Sequence, residues 1–241
     1  MYQTGSIISG SSALWLICGF PKEWSAGDLD VYCCNGQGHI LVNFFQTQGY
    51  QVVNYRTEAT EDESSSFFDN SGLSAATKLK RDNREVDILE SPTKSAFTPL
   101  TCFHSSIVMN YITSSEIVVA YPTFTLRNIG IVQTGTPQRG NQWKEKYETQ
   151  RAFSIWRHHP MDTSRVCPKR LRWIGDGQSL IVAFDEPAAL APDQNTSWRF
   201  NGTQYHQLCS PAVCTRVGFD RYAPRTWDEF IARTKLIVPC E

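Results

Sequence analysis

A glycine–serine turn followed by an Asp-x-Asp pair is the feature that most constrains the fold of this chain. Gly10-Ser11-Ser12 stands at the start of a predicted helix, and Asp28-Leu29-Asp30 opens an apolar strand pattern. The exposed backbone N–H groups of such a turn can hold a phosphate. Because side chains alternate along a strand, Asp28 and Asp30 face the same side, and their oxygens suit Mg²⁺ or Mn²⁺. The sequence therefore predicts a site for nucleotide chemistry.

A third carboxylate follows in a short strand pattern farther along the chain. Arg84-Glu85-Val86-Asp87-Ile88-Leu89 places Asp87 among apolar residues that favour β-structure. A carboxylate beside bound metal ions can orient or deprotonate an attacking hydroxyl, which phosphoryl transfer with two metal ions requires. The candidate catalytic and metal-binding residues, called the carboxylate triad below, are Asp28, Asp30 and Asp87.

The order of turn, helix, Asp-x-Asp strand and single-Asp strand resembles the nucleotidyltransferase fold of the DNA polymerase β superfamily. More narrowly, four segments are similar to a group of uncharacterised fungal proteins with that core: residues 7–14, 28–32, 102–112 and 120–123. The resemblance covers about residues 5–130 and is poor in the remainder.

The resemblance implies a metal-dependent nucleotidyltransferase, which moves a nucleotidyl group from an NTP to an acceptor hydroxyl. It places the nucleotide phosphates on Gly10 and Ser11, and Ser12 is the next candidate in the same turn. It places the metal ions on the Asp-x-Asp pair, and Asp87 completes the triad. Nothing in the sequence decides whether the acceptor is RNA, a small molecule or a protein.

A catalytically inactive protein with the same fold is the alternative interpretation, because a fold does not determine an activity. Such a protein would act as a nucleotide-binding or protein-binding module. Sixteen residues separate Ser11 from Asp28, which is more than members of the superfamily usually have. Gly19 and Pro21 predict a loop in this stretch. The long loop and the absence of an obvious basic track for an acceptor favour the alternative.

The charge and hydropathy of the chain also bear on whether it is a nucleic-acid-binding, membrane or secreted protein. The chain has 23 basic and 24 acidic residues, so a basic nucleic-acid surface over the whole protein is absent. No apolar run approaches the roughly 20 residues of a membrane helix, and residues 1–5 lack the pattern of a signal peptide. We expect no membrane partner and a cytoplasmic or nuclear location. A secreted disulfide-rich protein, suggested by eight cysteines, ranks last.

The alternation of elements predicts an α/β (α+β) fold, with a small mixed nucleotidyltransferase sheet flanked by helices and an irregular or helical C-terminal part. The predicted domains are a nucleotidyltransferase-like core over residues 1–135 and a C-terminal helical and irregular subdomain, packed on the core, over residues 136–241. A helix over residues 38–49 is predicted to carry an apolar face, and residues 50–55 alternate as a half-buried strand does.

A basic helix is predicted over residues 141–156. Lys144 and Arg151 are seven residues apart and share a face of such a helix, where two cations can neutralise a triphosphate. Both are therefore candidate nucleotide-binding residues. A solvated helix face is the alternative interpretation.

Three more elements are predicted from local patterns. A helix over residues 97–113 carries His104 as a core residue. Residues 171–184 have the pattern of a hairpin around Gly175-Asp176-Gly177, and a last helix covers residues 227–234.

Overall fold

The computed structural model describes residues 1, 3–57, 68, 71–133, 142–156, 172–174, 176–184 and 197–198. The strands are, in chain order, β1 (Ile7–Ser9), β2 (Asp28–Cys33), β3 (Gln51–Thr57), β4 (Ala75–Arg81), β5 (Arg84–Glu90), β6 (Asn110–Ile112), β7 (Glu116–Val119), β8 (Ile129–Ile131), β9 (Ser154–Trp156), β10 (Arg172–Trp173), β11 (Leu180–Ala183) and β12 (Ser197–Trp198). The α-helices are α1 (Gly10–Ile17), α2 (Gly38–Thr47), the single turn α3 (Pro122–Thr125) and α4 (Gln142–Lys144), which continues as a π-helix over Glu145–Thr149. Short 3₁₀ turns cover Thr98–Cys102 and Ser106–Val108.

Eight of these strands form one sheet in the order β11-β7-β6-β1-β2-β5-β4-β3. Its neighbours are antiparallel except for β2 and β5, which run parallel. The predicted mixed α/β class is therefore confirmed, with a sheet that is mostly antiparallel and few helices. Among the described residues, no helix is long and apolar enough to cross a membrane.

Helix α1 packs its apolar stripe against the middle of the molecule. Leu14 and Ile17, three positions apart, are fully buried on one side of the helix. Ile17 packs in a cluster with Ile117 and Leu180 from the sheet, and Leu14 packs in another with Ile107. This packing fixes the helix against the sheet, so the first turn of α1 is held at the end of β1.

Helix α2 begins at a carboxylate supplied by the sheet. Glu90, the last residue of β5, accepts hydrogen bonds from the backbone N–H of Gly36 at 2.6 Å and of Gly38 at 3.1 Å. A negative charge at a helix N-terminus is favourable because the first N–H groups have no partner within the helix. The contact ties the start of α2 to the end of β5.

The far edge of the sheet is more exposed than the sequence predicts. Ile40 and Phe44 of α2 are 40% and 55% exposed, although the pattern places them on the apolar face with the buried Leu41. The predicted strand at residues 50–55 is present as β3, but Gln51–Arg56 is exposed rather than half-buried. β3 is the last strand in the order, so it has a strand neighbour on one side only.

Three local predictions are wrong in the region after β5. The helix predicted at residues 97–113 is replaced by two 3₁₀ turns and β6, because β6 pairs with both β1 and β7. The hairpin predicted at residues 171–184 does not form, since β10 pairs with β12 and β11 pairs with β7. The helix predicted at residues 141–156 stops at Thr149, and β9 follows it.

Two predictions in the C-terminal half are not tested by the structure. The helix at residues 227–234 lies outside the described residues. The division at residue 135 stays a prediction, although β11, from beyond it, joins the main sheet at the side of β7.

A buried arginine organises the segment around β10. Arg172 is fully buried, forms an ion pair with Asp176, and donates hydrogen bonds to the Ala120 carbonyl at 2.9 Å and to the Ser179 hydroxyl at 3.1 Å. Its guanidinium also lies 4.8 Å from the centre of the Tyr121 ring. These groups, called the Arg172 cluster below, neutralise the buried charge and accept hydrogen bonds from Nε and Nη2, whereas Nη1 has no partner among the described residues.

Candidate metal centre

The parallel pairing of β2 with β5 brings the three candidate carboxylates together. In the register of the two strands Asp30 lies beside Asp87, and Asp28 precedes Asp30 by two residues, so all three share one face of the sheet. Their ligand atoms lie within 4.8 Å of one another. The structure thus assembles the carboxylate triad that the sequence predicts.

Gly10 lies directly against this triad. Its φ of +66° is in the left-handed region, and a Cβ at this position would lie 2.0 Å from Oδ2 of Asp30. No side chain fits in that space, and an L-residue would be strained in that backbone conformation. Glycine is therefore required here for the helix to begin next to the carboxylates.

The serines around Gly10 have distinct contacts. The Ser11 hydroxyl donates to Oδ1 of Asp28 at 3.3 Å, and the Ser12 hydroxyl donates to the backbone carbonyl of Asp28 at 2.7 Å. Ser9 precedes the helix, but its hydroxyl donates to the Asn110 carbonyl at 2.6 Å and makes no capping hydrogen bond to α1. The first turn of α1 therefore adjoins the triad without a side-chain cap, which is the arrangement that an anion-binding helix end has.

The triad concentrates negative charge in a partly buried place. Burial, together with the charges of Asp28 and Asp87, raises the pKa of Asp30 to about 7. Burial also raises the pKa of Asp87, and the neighbouring Lys78 opposes this rise. A bound cation would stabilise the ionised forms, so the electrostatics of the apo site favour metal binding.

Lys78 is a site residue that the sequence analysis does not identify. Its Nζ lies 3.4 Å from Oδ2 of Asp87 and 3.1 Å from Oε2 of Glu85. A signal for it exists in the sequence, because the two-residue turn Asp82-Asn83 pairs Arg81 with Arg84, and counting outward pairs Lys78 with Asp87. The hairpin register therefore places a lysine beside the third carboxylate.

In the basic segment after residue 141, Lys146 and the predicted Arg151 interact electrostatically with the triad. The positive charge of Lys146 lowers the pKa of Asp30, and the charge of Asp28 acts on Arg151. The Nζ of Lys144 lies 5.8 Å from the centre of the Trp143 ring. A π-helix has more residues per turn than an α-helix, so the seven-residue spacing no longer defines a face. Nucleotide binding by Lys144 and Arg151 stays a prediction.

His104 lies in a buried aromatic setting. Its ring stacks on Trp143 with 4.3 Å between the ring centres, and Tyr147 lies at 5.7 Å. Burial lowers the pKa of His104 to about 4, so the imidazole is neutral at physiological pH. The predicted role as a core residue agrees with this burial, whereas the predicted helix around it is absent.

The donor set fits a hard divalent cation. Three carboxylates and no thiol or imidazole make up the group, and Mg²⁺ or Mn²⁺ prefers such oxygen ligands. Lys78 and Lys146 offset only part of the mutual repulsion of these three acids, since the pKa of Asp30 is still raised, and a bound cation would relieve the rest. The residues present therefore fit the metal that the sequence predicts.

Comparisons of the chain with protein-family models, with curated proteins and with solved structures found no match in any of the three. The resemblance to nucleotidyltransferases therefore stays a hypothesis drawn from the sequence.

Proposed function

We propose that this chain is a metal-dependent nucleotidyltransferase that transfers a nucleotidyl group from an NTP to a hydroxyl acceptor. The observation that carries the proposal is the convergence of Asp28, Asp30 and Asp87 beside the start of α1, with ligand atoms within 4.8 Å of one another. Phosphoryl transfer of this kind uses carboxylates that hold metal ions next to a turn that binds phosphate, and the position of the triad beside the first turn of α1 supports the proposal.

Mg²⁺ or Mn²⁺, when bound by the triad, supplies Lewis-acid activation of the α-phosphate and charge stabilisation of the leaving pyrophosphate. Asp28 and Asp30 hold the metal ions. Asp87, from the neighbouring strand, orients the acceptor hydroxyl and takes its proton as the acceptor oxygen bonds to the α-phosphorus and the bond to pyrophosphate breaks.

The first turn of α1 binds the triphosphate in this proposal. The Ser11 hydroxyl and the N–H groups of the turn, which have no side-chain cap, face an anion favourably. Lys146, whose charge acts on Asp30, offsets part of the negative charge of the nucleotide.

Thermal unfolding of the full chain with each of ATP, GTP, CTP and UTP, with and without Mg²⁺, tests the proposal. We expect a Mg²⁺-dependent rise in Tm for at least one nucleotide, together with pyrophosphate release from it. Asp28→Asn, which keeps the size of the side chain and removes its charge, should abolish both effects. Asp82→Asn is the matched control because Asp82 is an exposed acid in the β4–β5 turn with a φ of 54°, which asparagine tolerates.

The outcomes separate the two interpretations of the fold. A Tm shift that is lost in Asp28→Asn, without pyrophosphate release, would contradict the enzyme and support a nucleotide-binding module. No shift with any nucleotide, or an equal loss in Asp82→Asn, would contradict nucleotide binding at the triad.

A further inference from the structure

A cavity of about 460 Å³ lies at the C-terminal end of α1, whereas the triad lies at its N-terminal end. The end of α1, the loop after it, the α3 region and the residues before β9 form its wall. Apolar side chains make up much of this wall, among them Ile17, Trp24, Leu126 and Phe153. Cavities of this volume and character are typical of sites that bind small organic molecules.

Two buried polar side chains interrupt the apolar wall. Arg151 is only 7% exposed and Thr125 is fully buried, and both line the cavity. Within the part of the chain that the structure describes, Nη1 of Arg151 and Oγ1 of Thr125 have no hydrogen-bond partner. Buried polar atoms are nearly always paired in proteins, since an unpaired one destabilises the fold. Two such atoms in the wall of one cavity indicate a missing partner.

Arg151 shares a hydrogen bond with Tyr147 and experiences the charge of Asp28, but no carboxylate lies within ion-pair distance of it among the described residues. Its guanidinium lies 4.1 Å from the centre of the Trp24 ring and 5.0 Å from that of Tyr147, contacts that favour a cation but leave its charge in place. No ion pair of Arg151 occurs among the described residues. A buried guanidinium of this kind is best matched by an anionic group that accepts its hydrogen bonds.

We propose that this cavity binds a small organic monoanion, a carboxylate or sulfonate with an apolar body. The acid group accepts hydrogen bonds from Arg151 and Thr125, and the body packs on Ile17 and Phe153. A single charge is favoured because Glu23 also lines the cavity and would repel a dianion. The cavity lies at the opposite end of α1 from the carboxylate triad, although the charge of Asp28 acts on Arg151, and the proposal does not depend on the proposed enzymatic function.

Two fluorescent probes that differ only in an acid group test this site. The probes are 8-anilinonaphthalene-1-sulfonate and its uncharged counterpart, N-phenyl-1-naphthylamine, each titrated into the full chain. We expect one saturable sulfonate site, with affinity lower by about tenfold or more in Arg151→Met, because a charge-assisted hydrogen bond is lost. The uncharged probe should bind the wild type and Arg151→Met alike.

Thr125→Val provides a test that does not remove a charge. Valine has nearly the shape of threonine, so the fold should be retained and the sulfonate probe should bind about threefold more weakly. The uncharged probe should again be unaffected. This variant keeps the proposal testable if Arg151→Met fails to fold.

A surface variant distinguishes binding of the sulfonate probe in the cavity from binding elsewhere on the molecule. Phe44→Ser combined with Val53→Ser removes exposed apolar side chains of α2 and β3, which can also attract such dyes. Sulfonate binding should persist in this variant. Loss of binding here, equal affinity of Thr125→Val and the wild type, or no saturable binding by the wild type would overturn the proposal.

Discussion

Arg172 and Asp30 are charged residues that the fold withdraws from water, and their surroundings differ. Arg172 has an ion pair with Asp176 and further acceptors on Ala120 and Ser179. Asp30 instead has two like charges beside it, and the charges of Lys146 and Lys78 compensate them only in part. The charge of Arg172 is paired within the chain, although its Nη1 has no hydrogen-bond partner among the described residues, so we expect the Arg172 cluster to stabilise the fold. The carboxylate triad is incomplete, so it is suited to take a partner from solution.

The largest effect on stability should come from breaking the Arg172 cluster. Arg172→Met leaves Asp176 buried without its cation, and we expect a loss of about 3–5 kcal/mol in the free energy of unfolding. Urea denaturation measures this loss. Arg127→Met is the matched control because Arg127 is exposed, and it should change stability by less than about 0.5 kcal/mol. A small effect of Arg172→Met would show that the cluster does not stabilise the fold as inferred.

Removing a charge from the carboxylate triad should instead raise the free energy of unfolding. The pKa of Asp30 is raised from an ordinary value of 3.8 to about 7, so the folded state holds the proton more tightly than the unfolded state does. Stability must then fall as pH rises from about 4 to about 7. In EDTA, Asp30→Asn should remove this fall. Its free energy of unfolding at pH 8 should exceed that of the wild type by roughly 2 kcal/mol.

Thermal unfolding of the wild type and of Asp30→Asn between pH 5 and pH 8 checks that prediction. The two proteins are compared at pH values below and above about 7. Parallel profiles for the wild type and Asp30→Asn would mean that the triad carries no excess negative charge. The distinction between the two clusters would then fail.

The smallest effect should come from Lys78, the cation paired with Asp87. Because its Nζ lies 3.4 Å from Oδ2 of Asp87, it would compete for that carboxylate with a metal ion bound at the proposed site. Lys78→Met should therefore tighten Mg²⁺ binding by about two- to fivefold, a size typical of exposed ion pairs. Lys80→Met is the control because Lys80 pairs with Glu85. Calorimetric titration distinguishes the two variants, and weaker Mg²⁺ binding in Lys78→Met would contradict competition.

The Asp-x-Asp pair of the triad could be predicted from sequence because its determinants are local. Alternation along one strand puts Asp28 and Asp30 on one face, and a glycine before a helix indicates a close approach. The position of Lys78 beside Asp87 is also local, because it follows from the register of a two-residue hairpin turn. The place of Asp87 beside Asp28 and Asp30 is not a local property, because it depends on the parallel pairing of β2 with β5, which the sequence analysis does not predict.

The wrong predictions concern segments whose partners are distant in the chain. Residues 97–113 have the apolar content of a helix, but β6 pairs with β1 about a hundred positions earlier. β11 pairs with β7 rather than with its neighbour β10. Local patterns carry no information on such pairings, since a short apolar run suits a strand and a helix equally. The cavity beside Arg151 was missed for the same reason, because separate segments form its wall.

The parallel pairing of β2 with β5 also has a consequence for the order of folding. The β4–β5 hairpin closes over two residues and can form quickly, whereas β2 reaches β5 only after a crossover that includes α2 and β3. During synthesis β2 emerges first and must wait for its partner strand. We therefore expect Asp87 to meet Asp28 and Asp30 in a late step, and a chain stalled before that step would lack the proposed cation site. Mg²⁺ binding would report that the centre of the sheet has finished folding.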